Sequence, residues 1–120
     1  MPGNLTSKAK LQLGDIFLIT GEMWESTLLY SQVDKKHKDD ALGEQARFKN
    51  AMLSFYKGDF DWAQAQFNVL KASTSKLISN DAIDLSVFIM DNLALDTTAA
   101  PMKMYAEASL FLFQNKLEEA

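Results

Sequence analysis

Through almost the whole chain apolar side chains recur every three or four residues, and glycine cuts that pattern at Gly21 and again at Gly58. Such spacing gathers apolar groups on one side of an α-helix. A glycine just past the run is a common helix stop, because glycine enters left-handed backbone without a steric penalty. The apolar pattern resumes within two residues of each glycine. The helices on either side must therefore double back and lie antiparallel. Only 2 prolines and 5 glycines are present, which disfavours a turn-rich β protein. Ala, Leu, Lys, Glu, Gln and Met are plentiful and favour helix. The expected fold class is all-α.

Residues 5–20 form the first expected helix, with Leu5, Ala9, Leu13, Ile16 and Phe17 at helical spacing. The second follows Gly21 through Met23, Trp24, Leu28, Tyr30 and Val33, and the polar run 34–40 reads as its exit loop. The third spans Ala41–Lys57 and carries Leu42, Ala46, Phe48, Ala51, Met52, Phe55 and Tyr56. Asp59 then suits the N-cap of a fourth, with Phe60, Ala63, Phe67 and Leu70 on one side. A fifth covers about 78–94. After Asp96-Thr97-Thr98, with Thr98 as a cap, Pro101 suits the first turn of a sixth. Asn115 is expected to end that helix, and Leu117–Ala120 read as the opening turn of a seventh. A chain stopping there is expected to be a piece of a longer array, since arrays normally close with a polar-faced capping helix.

Three segments superimpose: Gly21–Ser26, Gly58–Ala63 and Asn115–Ala120. Each holds a turn former, an apolar residue and then a small residue. Seven residues upstream of each turn stands another small residue, Gly14, Ala51 or Ala108. An aromatic follows the small residue by four in the first two segments, Tyr30 after Ser26 and Phe67 after Ala63. This pattern resembles the tetratricopeptide repeat, which needs small residues where paired helices cross and an aromatic behind the crossing. In the first pair Gly14, Gly21, Ser26 and Tyr30 fill those slots. Ala51, Gly58, Ala63 and Phe67 fill them in the second, and Ala108, Asn115 and Ala120 in a third that lacks its second helix. Gly21 and Gly58 lie close to the family repeat of roughly 34 residues apart. Gly58 and Asn115 are farther apart by about one helix, which marks the fifth helix as an insert. Two features depart from the family: Ser54 stands where the first pair has Phe17, and no proline closes either repeat.

The resemblance implies a right-handed α-α superhelix of antiparallel helix pairs, about six helices plus a truncated seventh. Its units are repeat one over 5–36, repeat two over 41–72, an extra helix over 78–94 and a partial third repeat over 98–120. A generic antiparallel helical bundle is the alternative.

Little in the chain suggests catalysis. The lone His37 lies in a charged loop and reads as solvated. No HExxH pair, Gly-rich phosphate loop or GxSxG elbow occurs. Gly58-Asp59-Phe60-Asp61 lacks the ligand ladder of a calcium loop, and the absence of cysteine rules out disulfides and thiolate metal sites. No cofactor and no metal is expected. A formal charge of −4 gives no reason to expect nucleic acid. No apolar run reaches the roughly 20 residues a membrane span needs, and Met1-Pro2-Gly3-Asn4 does not read as a signal peptide.

What the resemblance implies instead is a protein partner. In the family the first helix of each pair lines a concave groove. The corresponding slots are Leu11, Asp15, Leu18 and Ile19, then Phe48, Met52, Phe55 and Tyr56, then Met102, Tyr105, Ser109, Leu112 and Phe113. They are mostly apolar, which suits an amphipathic helix or an apolar peptide. Leu11 and Asp15 stand where the carboxylate-clamping version carries Lys and Asn, so that mode is not expected. In so aromatic a chain many of these residues can equally be core. Phe48 and Tyr105 are assigned to the groove, and Phe55 and Phe113 stay open between groove and core. The fifth helix can also lie across the groove and fill it. The function expected is an interaction or scaffold module, closest to bacterial repeat proteins that organise complexes in the cell envelope. Homo-oligomerisation is the alternative. The compartment stays open between periplasm and cytoplasm.

Overall fold

Two identical turns organise the first four helices. Gly21 (φ +86°) and Gly58 (φ +84°) both take left-handed backbone. At the first turn the Gly21 amide donates to the Leu18 carbonyl (3.2 Å) and the Glu22 amide to Phe17 (2.8 Å). At the second the Gly58 amide donates to Phe55 (3.0 Å) and the Asp59 amide to Ser54 (2.9 Å). These paired bonds satisfy carbonyls that a helix end would otherwise leave open.

The computed structural model describes the backbone of residues 3–38, 40–73, 75–95 and 100–119, and the side chains of residues 5–38, 40–73, 75–93 and 100–115. Six helices and no strand occur among these residues: α1 (Gly3–Ile19), α2 (Met23–Lys36), α3 (Ala41–Tyr56), α4 (Phe60–Leu70), α5 (Lys76–Leu95) and α6 (Ala100–Glu119). The protein is all-α. The expected roles of Thr98 and Ala120, and the side chain of Leu117, lie outside the described residues.

Three local expectations are corrected. Residues 34–36 belong to α2 rather than to a loop, and Lys35 and Lys36 place positive charge at its C-terminal end, where the helix dipole favours it. Asp59 stands at the start of α4, but its side chain makes no capping bond. The capping aspartate is Asp40, whose Oδ1 accepts from the Leu42 amide (2.9 Å) and the Gly43 amide (3.3 Å) at the start of α3. Asn115 does not end a helix, because α6 runs unbroken to Glu119 and takes in 117–119, expected as the opening turn of a seventh. Asn115 donates instead to the Phe111 carbonyl one turn back (2.8 Å), a bond that suits continued helix.

From α1 to α5 each helix packs on the next, and a short polar side chain bonds across every crossing. The Ser26 hydroxyl donates to the Gly14 carbonyl (2.7 Å) between α1 and α2. Asn50 accepts from Thr27 (2.8 Å) and donates to Ser31 (3.1 Å) between α2 and α3. Ser54 donates to Gln66 (3.2 Å), and Ser86 to Asn68 (2.8 Å), at the next two crossings. Ser26 and Ser86 are fully buried, where an unmet hydroxyl would be costly. The odd-numbered helices also approach one another, α1 with α3 and α3 with α5, while the backbones of α2 and α4 stay farther apart among the described residues.

The sixth helix breaks the series. It packs on α1 and α3, and more lightly on α5, crossing the face that the odd-numbered helices share. Its buried residues are Met102 and Ala106, with Leu110 and Phe113 half-buried. Ala108, expected at a close helix crossing, faces solvent. The small residue that α6 buries is Ala106, two positions earlier. It is α6, and not α5, that lies across the shared face.

The crossing of α1 and α2 gives a sharp prediction. A Cβ added at Gly14 would lie 2.6 Å from Cε1 of Tyr30. The ring has no room to retreat, because Tyr30 is buried and its hydroxyl donates to Asp15 at 2.5 Å. Gly14→Ala gains about 1 kcal/mol of helix propensity but loses about 1–3 kcal/mol to overpacking. Urea unfolding should show net destabilisation. In a Tyr30→Ala background the sign should reverse, with Gly14→Ala becoming stabilising.

Candidate functional site

The shared face of α1, α3 and α5 is lined by apolar side chains that the helical period delivers to one side of each element. Part of it is covered. Met102 and Ala106 of α6 join the buried cluster of Phe55, Ala82 and Ile89. Leu110 and Phe113 pack on the cluster of Leu11, Leu18 and Leu53. The Tyr105 ring stands 4.7 Å from Phe88 and 6.1 Å from Phe55 between centroids. Gln114 Nε2 donates to the Leu18 carbonyl (3.0 Å), tying α6 to the end of α1.

Beside α6 the same face opens into a pocket of about 490 Å³. Its apolar lining includes Leu18, Phe48, Met52, Tyr56, Ile78 and Phe113, and Asp15, Lys49 and Asp81 add charge. This volume falls within the roughly 300–1,000 Å³ usual for ligand pockets. Asp15 is paired: it accepts from the Tyr30 hydroxyl and from Lys49 Nζ at 3.0 and 3.1 Å. Burial raises the pKa of the Tyr30 phenol, and the bond to Asp15 adds to the effect. Burial pushes Tyr56 up to about 12, with a smaller contribution from Tyr105.

The expected groove residues divide. Asp15, Leu18, Phe48 and Met52 come together in the pocket wall, joined by Tyr56 and Phe113. Phe48 also meets Phe67 edge to face (5.9 Å). Leu11 and Phe55 are buried in the core. Tyr105, Ser109 and Leu112 belong to the helix that covers the face, with Tyr105 51% and Leu112 68% exposed and Ser109 half-buried. Of the packing residues, Gly14, Ser26, Tyr30, Ala51, Ala63 and Phe67 are buried, Gly21 and Gly58 form the turns, and Ala108 is exposed. Sequence reasoning missed Ile78 and Asp81, because it assigned the fifth helix to no repeat.

His37 departs most from expectation. It is 8% exposed, not solvated. Its Nε2 lies 2.7 Å from the buried Ser7 hydroxyl of α1, and its Nδ1 lies 2.7 Å from Asp40 Oδ2. Gly43 lets α3 approach here, since a Cβ would fall 1.8 Å from the His37 carbonyl oxygen. Serine, histidine and aspartate in line are the geometry of a nucleophile, its base and an orienting acid. Here, however, the serine is 1% exposed inside a helix and His37 is itself buried. The relay ties the N-terminal half of α1 to the α2–α3 turn. Its signal was invisible along the chain, because Ser7 is 30 residues from His37.

Among the described residues no three metal-ligating side chains converge, and no helix is long and apolar enough to cross a membrane. No protein-family model matches the chain, and no curated protein or solved structure matches it at significant similarity.

Two pH limbs follow from these groups. The bond from His37 is the main influence holding the Asp40 carboxyl below its ordinary value, with the Gly43 and Leu42 amides adding to it. A depressed folded pKa stabilises above the unfolded value of about 4 and is lost as pH falls through the folded one. Asp40→Asn should therefore flatten the acid limb of a stability–pH curve. Tyr56 works in the opposite sense. Its contribution is complete below pH 10 and is lost as pH rises toward about 12. Tyr56→Phe should shift alkaline unfolding to higher pH, read by circular dichroism.

Proposed function

We propose that the chain is a non-catalytic, tetratricopeptide-like interaction module, and that the face shared by α1, α3 and α5 binds an amphipathic helix or apolar peptide of another protein. One observation carries the reading: the chain's own α6 is seated on that face as a helix in a groove. It docks through Met102, Ala106, Leu110 and Phe113, the spacing by which helical ligands engage apolar grooves. Close backbone approach among odd-numbered helices, without the same between α2 and α4, supports an array curved toward the odd side. That is the sense of bend in which a right-handed superhelix of helix pairs presents a concave surface. The pocket beside α6 is the part of this surface left open to a partner. Its aromatic lining suits the buried anchors that dominate such interfaces.

Self-association is the second reading. Met104, Ala108, Phe111 and Leu112 form an exposed apolar stripe on the outer side of α6, of the kind that a second copy would bury. Light scattering over a concentration series separates the two: a monomer favours the interaction module, and a tight dimer with the pocket occluded favours self-assembly.

The module reading is tested by adding a synthetic amphipathic helix of about four turns, with leucines at i, i+4 and i+7, to the full chain. Amide chemical shifts should move saturably at Leu18, Phe48, Met52, Ile78 and Phe113, and Met52→Trp should abolish the response. No shifts, or shifts confined to α2 and α4, would remove the groove from consideration.

A further inference from the structure

Charge in the pocket wall is not balanced. Lys49 is committed to Asp15 by two short contacts. Asp81, from the first half of α5, is half-buried and makes no hydrogen bond or ion pair among the described residues. It shares the pocket with Leu77 and Ile78 on its own helix and with Gln45, Phe48 and Met52 on α3. The wall thus combines an apolar floor, one neutralised ion pair and one uncompensated carboxylate. A carboxylate at the edge of apolar surface attracts cations more strongly than one in open water, because less solvent screens it.

We propose that the pocket selects a cationic amphipathic helix, seating an apolar side chain against Phe48, Met52 and Ile78 while Asp81 pairs with a Lys or Arg of the same helix. This rests on the groove reading above and specifies its partner. The two features are compatible on one ligand. Side chains three or four residues apart on a helix share a face, so an apolar anchor and a cation one turn away arrive together. Arginine suits the wall further, since its planar head also stacks on rings such as Phe48 and Tyr56. The overall charge of −4 acts in the same sense. It speeds the approach of a basic peptide and opposes polyanions such as nucleic acid or an acidic lipid surface. The ion pair contributes discrimination and on-rate, while the apolar anchor contributes most of the affinity.

The test uses the full chain and two synthetic helices with identical apolar faces, one carrying Arg and the other Glu at the positions flanking the central leucine. Fluorescence anisotropy with labelled peptide should show the Arg helix binding about tenfold more tightly at low salt. The gap should narrow as salt rises. Asp81→Asn should reduce the preference to about twofold or less while leaving helicity and melting unchanged. If both peptides bind equally, or if Asp81→Asn keeps the preference intact, the assignment of Asp81 is overturned and the groove reading survives. If neither peptide binds, both readings fall.

Discussion

Everything in this fold rests on an aromatic ring pressed against a residue with almost no side chain. Tyr30 lies on Gly14 so closely that a single added carbon would collide with it. Phe67 shares a fully buried cluster with Ala51 and Ala63. Close crossing lets each helix pair hide a large ring, worth about 1.5–3 kcal/mol of apolar burial apiece. It also brings paired helices near enough for Ser26 and Ser54 to bond within a pair, while Asn50 and Ser86 bond from each pair to the element beside it. The Gly21 and Gly58 turns make this geometry local, since each pair closes on itself within a few residues.

From this packing follows the surface to which the proposed function is assigned. Odd-numbered helices meet on one side, and their inward residues leave an apolar face that helix-pair packing alone does not cover. The chain covers part of it with α6 and leaves the remainder as a pocket with charged edges. The proposed interaction role is therefore a consequence of architecture: the arrangement that buries Tyr30 and Phe67 also generates a face that calls for a helix. The Ser7–His37–Asp40 relay serves the same architecture by fixing the α2–α3 turn against α1.

The all-α class, the helices up to Leu70 and both glycine turns were legible in the sequence, because each depends on local period and on backbone that glycine tolerates. What was not legible depends on distant partners. His37 looked solvated among charges, yet its partners come from α1 and from the cap of α3. Asp59 and Asp40 are equally plausible caps by residue type, and only the path of the preceding turn separates them. The sixth helix was misread most. It is apolar on two sides, so spacing alone did not tell which side is buried, and Asn115 mimicked the glycine stops. Asparagine only tolerates left-handed backbone, whereas its side chain bonds comfortably within a continuing helix. Of the pocket wall, residues of α3 were among those named for a groove, whereas the start of α5 was not.

Native-state hydrogen exchange, followed as denaturant is raised, tests most directly whether α6 is a ligand-like helix docked on a face that the other helices build. The account predicts that α6 amides exchange through a partial opening of lower free energy than the one exposing Leu53 and Phe67, while α1–α5 stay protected. Should α6 amides exchange only with global unfolding, merging with those core positions, α6 would be an inseparable part of the core and the face beneath it no groove at all.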